Sequence, residues 1–373
     1  MFSDLAVWLR IVLAAVLSFA VSYLMVPQVK KFAESVHAVD EPSARRINDH
    51  PVPRMGGIAI FCGFMAAALL FAELSRQVKG ILIGCMMIAV MGGLDDIFNL
   101  NAWVKLACQI AAAIVAVSCG VLADTFTNFM MEEGLIYPSD LVSAVITVIW
   151  IVGCTNAINL IDGLDGLAVG MSFISAATLF VISLIVAETD RNVSVILICL
   201  MGACLGFWPY NKNPAKIFMG DVGSQMLGYL LATVSVIGLF KMHALVTMLI
   251  PVLAMAVPIA DTAFAFVRRI LRGQSPFHPD KEHLHHRLLA AGLTQKQAVT
   301  VMYSISIVLS VFAYFMVGET RLVKIICLIV AVMIVSGIIL YIFKIYPKKA
   351  ALNAEKGLGE DVKIYKKGRD MKK

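Results

Sequence analysis

The chain contains eleven apolar stretches that are long enough, or nearly long enough, to cross a lipid bilayer as helices. A membrane-spanning helix needs about 20 mainly apolar residues, and the stretches lie near residues 5–28, 55–73, 80–94, 106–123, 140–157, 167–187, 193–208, 222–240, 244–267, 299–317 and 322–345. Hydrophobic residues make up 60% of the 373 residues and charged residues only 15%, which excludes an ordinary soluble domain. The sequence therefore predicts an all-α integral membrane protein with about eleven transmembrane helices.

Lys and Arg residues are distributed unevenly between the two sides of these predicted spans. One set of connections, together with the C-terminal tail, holds most of them, whereas the other set holds Arg76, Lys79, Arg191, Lys241, Arg321 and Lys324. Cytoplasmic connections of membrane proteins carry the excess of positive charge. The distribution predicts an N-terminus outside the cell, a cytoplasmic C-terminus, a membrane domain over residues 1–346 and a basic cytoplasmic tail over residues 347–373. The charge of the tail indicates contact with anionic lipid heads rather than with nucleic acid.

Nearly all side chains that could carry out chemistry lie in four clusters at the predicted cytoplasmic ends of the spans. The clusters occupy residues 92–96, 156–168, 214–224 and 276–287. A carboxylate or an imidazole in or near a bilayer is costly and usually has a functional reason. The shared side of the clusters therefore predicts one site that faces the cytoplasm.

Three carboxylates in these clusters indicate a metal site. Asp95 and Asp96 end the third span, where the helix dipole disfavours negative charge, and Asp221 begins the eighth. No cationic partner for them is evident from the sequence, and Mg²⁺ in phosphate chemistry is typically held by one or two carboxylates. Alternatively, the acid pair only marks a helix end and Asp221 only caps a helix.

A polar stripe at the end of the fifth span predicts a ligand pocket. Asn156, Asn159, Asp162 and Asp165 recur every three residues, so neighbours in the series lie close together on a helix. The following turn contains Gly163, Leu164 and Gly166, and its two glycines leave backbone groups accessible. Polar contacts between helices would explain the two asparagines but not the two acids.

The remaining clusters indicate recognition of a base and of an anion. Phe218 could stack on a base, although a packing role is an equal alternative. His283, His285 and His286 lie beside Arg287 in a basic loop, which favours anion binding. A zinc site, for which the usual ligand spacing is absent, and a solvated basic loop are the alternatives.

Two further groups can be interpreted from their place in the sequence. Arg54, in the first cytoplasmic loop, belongs to a basic collar that an amphiphilic phosphate would meet, although a topogenic loop would hold the same residues. Asp261, near the cytoplasmic end of the ninth span, is expected to pair with Arg268 along the helix.

Taken together, the clusters resemble one family, the polyprenyl-phosphate N-acetylhexosamine-1-phosphate transferases. The resemblance rests on five motifs in the family's order: PVPRMGG at 51–57, GGLDD at 92–96, NAINLIDGLDGLA at 156–168, FMGDVGS at 218–224 and HLHH at 283–286. It implies an enzyme of the cytoplasmic membrane that transfers a sugar 1-phosphate from a UDP-sugar to undecaprenyl phosphate with Mg²⁺, or Mn²⁺ in its place, and releases UMP. PVPRMGG, HLHH and the eleventh span resemble the branch that uses UDP-N-acetylglucosamine for teichoic acid, O-antigen or a similar polymer.

The resemblance also implies roles for individual residues. The implied catalytic residues are Asp95, Asp96, Asp162, Asp165 and His285, and the implied metal ligands are Asp221, Asp95 and Asp96. The implied substrate-binding residues are Asn156, Asn159, Gly163, Leu164, Phe218, His283, His286, Arg287 and Arg54. The implied partners are the two substrates and the lipid bilayer, without nucleic acid, and a homodimer is left open.

Two alternatives to this function stay open at the level of sequence. The first is a phospho-N-acetylmuramoyl-pentapeptide transferase, a sister branch of the same family. The second is a lipid or solute transporter, since many spans with buried acids also occur in carriers. Carriers place charge near the midplane of the membrane, whereas here the acids lie at the ends of the spans.

Overall fold

The chain folds almost entirely into helices. The structure, a computed structural model, describes residues 2–41, 51–123, 126–127, 135–136, 138–185, 191–239, 249–273, 283–317 and 321–340. Its helices are α1 (Phe2–Ser35), α2 (Gly57–Phe71), α3 (Arg76–Phe98), α4 (Ala102–Ser118), α5 (Asp140–Ile161), α6 (Leu167–Ile185), α7 (Arg191–Asn211), α8 (Gly220–Leu239), α9 (Leu249–Ala254), α10 (Ala256–Leu271), α11 (Leu284–Ala290), α12 (Gln295–Phe315) and α13 (Arg321–Leu340). The strands in the described residues form two short antiparallel pairs, β1 (Val39–Asp40) with β2 (Val52–Pro53) and β3 (Phe126–Thr127) with β4 (Leu135–Ile136).

This architecture confirms an all-α, multi-pass membrane protein. Every predicted apolar stretch coincides with helix in the described residues. Six of the helices, α1, α3, α5, α6, α7 and α12, are long and apolar enough to cross a membrane on length and composition alone, and three shorter apolar helices accompany them. The number of eleven crossings and the outside N-terminus stay predictions.

The ninth apolar stretch is not one continuous helix, contrary to the single span predicted over 244–267. In the described part of the stretch, α9 ends at Ala254 and α10 starts at Ala256. Pro258 explains the break, because a proline ring clashes with the carbonyl group four residues earlier, here that of Ala254, and cannot donate a hydrogen bond to it.

Helix α8 forms the centre of the bundle. Its residues from Val222 to Gly238 are almost all buried, including the large side chain of Tyr229. A helix that is apolar on all sides belongs in the interior, and α2, α3, α5 and α6 surround it. The first turn of α8 therefore lies among the ends of its neighbours, where the polar clusters gather.

Glycines let the backbones of α2 and α8 touch near this end. A Cβ atom added to Gly57 would lie 2.1 Å from the backbone nitrogen of Gly223, and one added to Gly92 on α3 would lie 2.5 Å from that of Val222. Small residues permit such close helix contacts in membrane proteins. The motif glycines thus have a packing role independent of any chemistry.

Gly57→Ala is expected to destabilise the protein by about 1–3 kcal/mol, the usual cost of overpacking a tight contact. The methyl group would overlap backbone atoms, which cannot rotate away. Thermal unfolding of the purified protein in lipid nanodiscs measures the effect. Gly153→Ala is the matched control, because no atom lies within 4 Å of its added Cβ, and it should leave stability unchanged or raise it slightly. Equal melting temperatures for the two variants would contradict the close contact.

Candidate active site

One pocket collects most of the predicted site residues. It has a volume of about 360 Å³ and is lined by Asp40, Arg54, Asp96, Asn159, Asp162, Gly163, Leu164, Asp165, Asn211, Phe218, Gly220, Asp221, His286 and Gln295. The walls come from β1, β2, the ends of α3, α5 and α7, the start of α8, and α11 and α12. Segments far apart in the sequence thus meet at one point.

Backbone hydrogen bonds join two of the motifs and hold Phe218 at the pocket wall. The N–H of Phe218 donates to the carbonyl of Pro53 at 2.8 Å, and the N–H of Gly56 donates to the carbonyl of Phe218 at 2.8 Å. Arg54 lies in the sequence between Pro53 and Gly56, the two residues that make these hydrogen bonds, and it forms an ion pair with Asp40. The aromatic ring, which is partly exposed, is therefore offered to the pocket by a fixed backbone.

Asp96 caps helix α8. Its carboxylate accepts hydrogen bonds from the backbone N–H groups of Asp221 at 3.0 Å and Val222 at 3.4 Å, and the positive end of the helix dipole stabilises it there. Gly220 makes this contact possible, because it has a φ of +70° and an added Cβ would lie 2.3 Å from Asp96 Oδ2. The capping role considered for Asp221 thus belongs to Asp96.

Lys105 supplies the cation that the sequence did not reveal. Its ammonium group lies 3.0 Å from Asp95 Oδ2 and 3.1 Å from Asp221 Oδ2. The expectation that these acids have no cationic partner in the chain is therefore wrong. Lys105 lies in the first turn of an apolar helix, α4, where its charge could be interpreted as topogenic. The sequence feature that could have revealed the ion pair is a charged group at the end of an apolar helix, close in sequence to an acid pair.

A chain of amide groups orients Asp221 from the other side. Asn159 Nδ2 donates to Asp221 Oδ1 at 3.1 Å, and Gln225 Nε2 donates to Asp221 Oδ2 at 2.7 Å. Gln109 continues the chain, since its Nε2 donates to Gln225 and its Oε1 accepts from Asn156 at 2.7 Å. Asn156 is thus part of a contact between α5 and α4 and does not line the pocket, and its predicted place in substrate binding stays a prediction.

Asp165 fastens the turn after α5 to the loop after α7. Its Oδ2 accepts from the side chain of Asn213 at 2.9 Å and from the backbone of Ala215 at 3.0 Å. Asn211 accepts from the N–H of Gly166 at 3.1 Å, and Asn213 also donates to Gln295 on α12 at 2.7 Å. These three amide residues were not singled out from the sequence, because isolated Asn and Gln carry no motif.

Asp162 is the acid with an unusual protonation equilibrium. Burial among the pocket walls raises the pKa of Asp162 to about 8, and the negative charges of Asp221, Asp96 and Asp165 act in the same direction. A carboxyl group of this kind exchanges a proton near neutral pH. The pocket therefore contains a group suited to acid–base chemistry.

The three histidines have different surroundings. His283 Nδ1 lies 3.0 Å from Asp261 Oδ2, so Asp261 pairs with the histidine segment. His285 packs against the turn after α5, where a Cβ added to Gly163 would lie 2.4 Å from its Nε2. Burial lowers the pKa of His285 to about 3, with His286 adding to the effect.

His286 is the one histidine of this segment that lines the pocket. His285 is neutral in its buried place, so any contact that it makes with an anion is a hydrogen bond without positive charge, and the predicted anion binding by the histidine segment stays a prediction. His283 and Arg287 lie outside the pocket lining, because the short helix α11 turns them towards α10.

The acids provide a position for a cation with two protein carboxylates. Among the described residues, no group of three His, Cys, Asp or Glu side chains is arranged to hold a metal ion. Asp95 and Asp221 nevertheless converge on one cationic point, the ammonium of Lys105. Such a pair fits Mg²⁺, which completes its octahedron with water and substrate phosphate, whereas Asp96 is already engaged by backbone N–H groups.

Comparisons with known proteins identify the family of this chain. The model of glycosyl transferase family 4 matches residues 78–239, a range that contains Asp95, Lys105, Phe218 and Asp221. A probable undecaprenyl-phosphate N-acetylglucosaminyl 1-phosphate transferase of Bacillus subtilis is 42% identical over 84% of this chain and 86% of its own length. A decaprenyl-phosphate N-acetylglucosaminephosphotransferase of Mycobacterium tuberculosis is 36% identical over 76% of each chain. A phospho-N-acetylmuramoyl-pentapeptide-transferase of Enterococcus faecalis is 31% identical over 81% of this chain and 97% of its own length.

Proposed function

Because the chain belongs to glycosyl transferase family 4, we propose that it transfers N-acetylglucosamine 1-phosphate from UDP-N-acetylglucosamine to undecaprenyl phosphate and releases UMP. The family resemblance is confirmed by the match over residues 78–239 and by the relative at 42% identity. The pentapeptide transferase is more distant, at 31% identity. The single observation that carries the proposal is the pocket in which Asp221, Asn159, Asp162 and Phe218 meet.

The proposed reaction depends mainly on positioning and electrostatics. An oxygen of the lipid phosphate attacks the phosphorus that bears the sugar, the bond between the two phosphates of the nucleotide breaks, and its electron pair leaves with UMP. Two anionic phosphates must meet, so cationic groups supply most of the stabilisation. Lys105 and Arg54 carry positive charge next to the acids that line the pocket.

Proton transfer is a secondary requirement. A phosphate monoester has a second pKa of about 6, so the attacking oxygen is largely ionised at neutral pH. Burial holds the pKa of Asp162 at about 8, so this carboxyl group is mostly protonated at neutral pH and is suited to donate a hydrogen bond or a proton rather than to act as the base. Direct attack by the lipid phosphate therefore needs no covalent enzyme intermediate.

Mg²⁺, with Mn²⁺ as a substitute, is part of the proposal. Asp95 and Asp221 would hold the ion, supported by their convergence on the Lys105 ammonium. The bound metal would neutralise the negative charge that develops on the phosphates. Asp96 would support it indirectly by fixing the start of α8.

The base of the nucleotide is expected to stack on Phe218. Phe218→Ala should raise the KM for UDP-N-acetylglucosamine. The rise should correspond to a loss of about 1–3 kcal/mol of binding free energy, the usual value of stacking between a base and an aromatic ring. A transfer assay with purified protein and undecaprenyl phosphate measures this KM. The donors are labelled UDP-, ADP- and GDP-sugars and UDP-N-acetylmuramoyl-pentapeptide, so the same assay tests the proposed donor specificity. Phe32→Ala, an exposed aromatic outside the pocket, is the control.

Three outcomes would count against this assignment. Equal use of a purine nucleotide sugar, or an unchanged KM for Phe218→Ala, would show that the base is not recognised by Phe218. Preference for the pentapeptide substrate would move the chain to the sister branch. Absence of UMP release with every donor would favour the transporter.

We propose further that the protein lies in the cytoplasmic membrane with its N-terminus outside and the pocket facing the cytoplasm, since Lys and Arg concentrate on that side. Cysteine introduced at Asn99, an exposed residue after α3, should react with a membrane-impermeant maleimide only after the cells are opened. Cysteine at Ser75, exposed at the other end of α3, should react in intact cells. The unmodified chain, with its native cysteines, sets the background. Labelling of Asn99→Cys in intact cells would overturn the orientation.

A further inference from the structure

Two glutamines form a buried polar contact between α4 and α8 that ends at the acids of the pocket. Gln225 lies four residues after Asp221 on α8, so the two side chains share one side of the helix. Gln225 is 1% exposed, and its partner Gln109 on α4 is 2% exposed. Neither glutamine belongs to any of the five motifs. Because a buried amide is costly unless its polar atoms are paired, two of them in contact require a structural or a functional reason.

The hydrogen bonds of these amides run in one direction, which the charge of Asp221 fixes. An ionised carboxylate can only accept hydrogen bonds, so Gln225 must present its NH₂ group to Asp221, at 2.7 Å. The carbonyl oxygen of Gln225 is then turned away and accepts from Gln109 Nε2 at 2.8 Å. The carbonyl oxygen of Gln109 accepts in turn from Asn156 Nδ2 at 2.7 Å, and Asn156 Nδ2 also donates to the backbone carbonyl of Val152 at 2.8 Å. We refer to Gln225, Gln109 and Asn156 as the amide chain.

A turn of the Gln225 amide by 180° would break this order at two points. It would place a carbonyl oxygen against the Asp221 carboxylate and an NH₂ group against the NH₂ group of Gln109. Both contacts are repulsive, and a buried polar group that loses its partner bears the full cost of its desolvation. Solvent has little access to either glutamine, so water cannot replace the lost partner. The amide chain therefore holds the NH₂ group of Gln225 at Asp221 in one arrangement.

This fixed donor determines how the Asp221 carboxylate is turned. Its Oδ2 accepts from Gln225 at 2.7 Å and from the Lys105 ammonium at 3.1 Å. Its Oδ1 accepts from Asn159 at 3.1 Å. Lys105 also contacts Asp95 Oδ2 at 3.0 Å. The oxygen of Asp221 that faces the cationic point shared with Asp95 is thus the same oxygen that Gln225 holds.

We propose that Gln225, held in place by Gln109, is a positioning residue that keeps Oδ2 of Asp221 directed at the cation position between Asp221 and Asp95. This role rests on the proposed function, because the Mg²⁺ ion at that position is part of it. Hydrogen-bond partners behind a metal ligand orient the ligand and strengthen metal binding. The alternative is that the amide chain only joins α4, α5 and α8, as polar contacts between membrane helices do. Metal affinity would then not depend on Gln225.

Binding of Mn²⁺, measured by electron paramagnetic resonance, tests this role without any transfer reaction. The full-length protein is titrated in phosphatidylcholine nanodiscs in the absence of both substrates, and empty nanodiscs set the background. Gln225→Met keeps the length of the side chain but removes the donor, and it should weaken Mn²⁺ binding about tenfold, the lower end of the usual effect of such partners. Gln77→Met is the matched control, because Gln77 donates to the carbonyl of Gly120 at 2.7 Å, at the opposite end of α3 from Asp95. The control should bind Mn²⁺ as the unmodified protein does.

Gln109 provides a second test that leaves the donor to Asp221 in the chain. Gln109→Met should weaken Mn²⁺ binding about threefold, in line with the loss of one weak hydrogen bond between neutral groups. In a protein that already carries Gln225→Met, the same change should have no further effect on Mn²⁺ binding, because Gln109 acts through Gln225. Melting temperatures in the same nanodiscs show whether each variant is folded. A role in helix packing alone would lower the melting temperature and leave the Mn²⁺ affinity of the folded protein unchanged.

The positioning role is wrong if folded Gln225→Met binds Mn²⁺ as tightly as the unmodified protein, or if Gln109→Met weakens binding equally in both backgrounds. It is also wrong if the unmodified protein binds Mn²⁺ no better than Asp221→Asn does. If Gln225→Met does not fold, unchanged Mn²⁺ binding in Gln109→Met is the contradicting result.

The proposed function is judged separately, by the release of UMP. Transfer by the unmodified protein together with unchanged Mn²⁺ binding in Gln225→Met would retain the function and remove Gln225 from the site. Absence of transfer with every donor, together with a tenfold loss of Mn²⁺ binding in Gln225→Met, would retain the positioned metal site and reject the transfer reaction.

Discussion

Asp221→Asn is expected to lower the rate of sugar-phosphate transfer by about 10²- to 10³-fold, the usual cost of removing one electrostatic group from a catalytic site. Asparagine has nearly the same shape, but it lacks the charge that meets Lys105 and that would hold Mg²⁺. The Asp221 carboxylate accepts from Asn159, Gln225 and Lys105, and of these contacts the one with the Lys105 ammonium depends most on the charge. Turnover of radiolabelled UDP-N-acetylglucosamine by the purified variant measures the loss.

Two controls separate a loss of chemistry from a loss of folding. Asp140→Asn removes an acid at the exposed start of α5 and should leave both rate and melting temperature unchanged. Excess chelator should abolish transfer by the unmodified protein, and added Mg²⁺ should restore it. A near-normal rate in Asp221→Asn would remove this residue from the site, and full turnover in chelator would exclude the metal.

Lys105→Met should produce the second large effect, a fall in transfer of about a hundredfold or more, on the same electrostatic scale. Removing one partner leaves Asp95 and Asp221 in a largely buried place without their ammonium group, which is strongly unfavourable. The variant should also reach half-maximal activity at a lower Mg²⁺ concentration than the unmodified protein, because the ammonium no longer competes for the two carboxylates. Metal titrations of transfer rate measure both changes.

A purely structural role for Lys105 would not change the metal requirement. Lys296→Met, on the exposed start of α12, is the matched control and should alter neither the rate nor the Mg²⁺ titration. The double variant Asp95→Asn/Lys105→Met should raise the activation free energy of transfer by less than the sum of the rises in the two single variants, since the two groups are in contact. Additive losses, or an unchanged rate in Lys105→Met, would contradict the bridge.

Motif residues could be located in the site from the sequence because short-range spacing already places them at helix ends. Asn159, Asp162 and Asp165 recur along one helix end and its turn, and the structure brings all three to the pocket with Asp221. Phe218 lies in the segment that precedes α8, and it too lines the pocket. Local sequence was sufficient here because a helix end and the turn after it have only a few arrangements.

Roles within the site could not be predicted in the same way. Asn156 belongs to the same repeat as Asn159, yet it donates to Gln109 on α4. His285 belongs to the same motif as His286, yet it is buried against Gly163. One residue of difference on a helix turns a side chain by about 100°, and three residues still leave about 60° between two side chains, so members of one motif reach different surroundings.

The amino-acid sequence by itself determined the membrane location, the helical class, the ends at which chemistry gathers and the family, because each depends on composition, local periodicity or motif order. Tertiary structure alone decided which groups meet: Lys105 with Asp95 and Asp221, Asp96 with the start of α8, and Asp261 with His283. These pairings depend on how helices distant in sequence rotate and pack against one another. Helix packing minimises voids and unpaired buried polar groups over the whole bundle at once, and no local stretch of sequence contains that information.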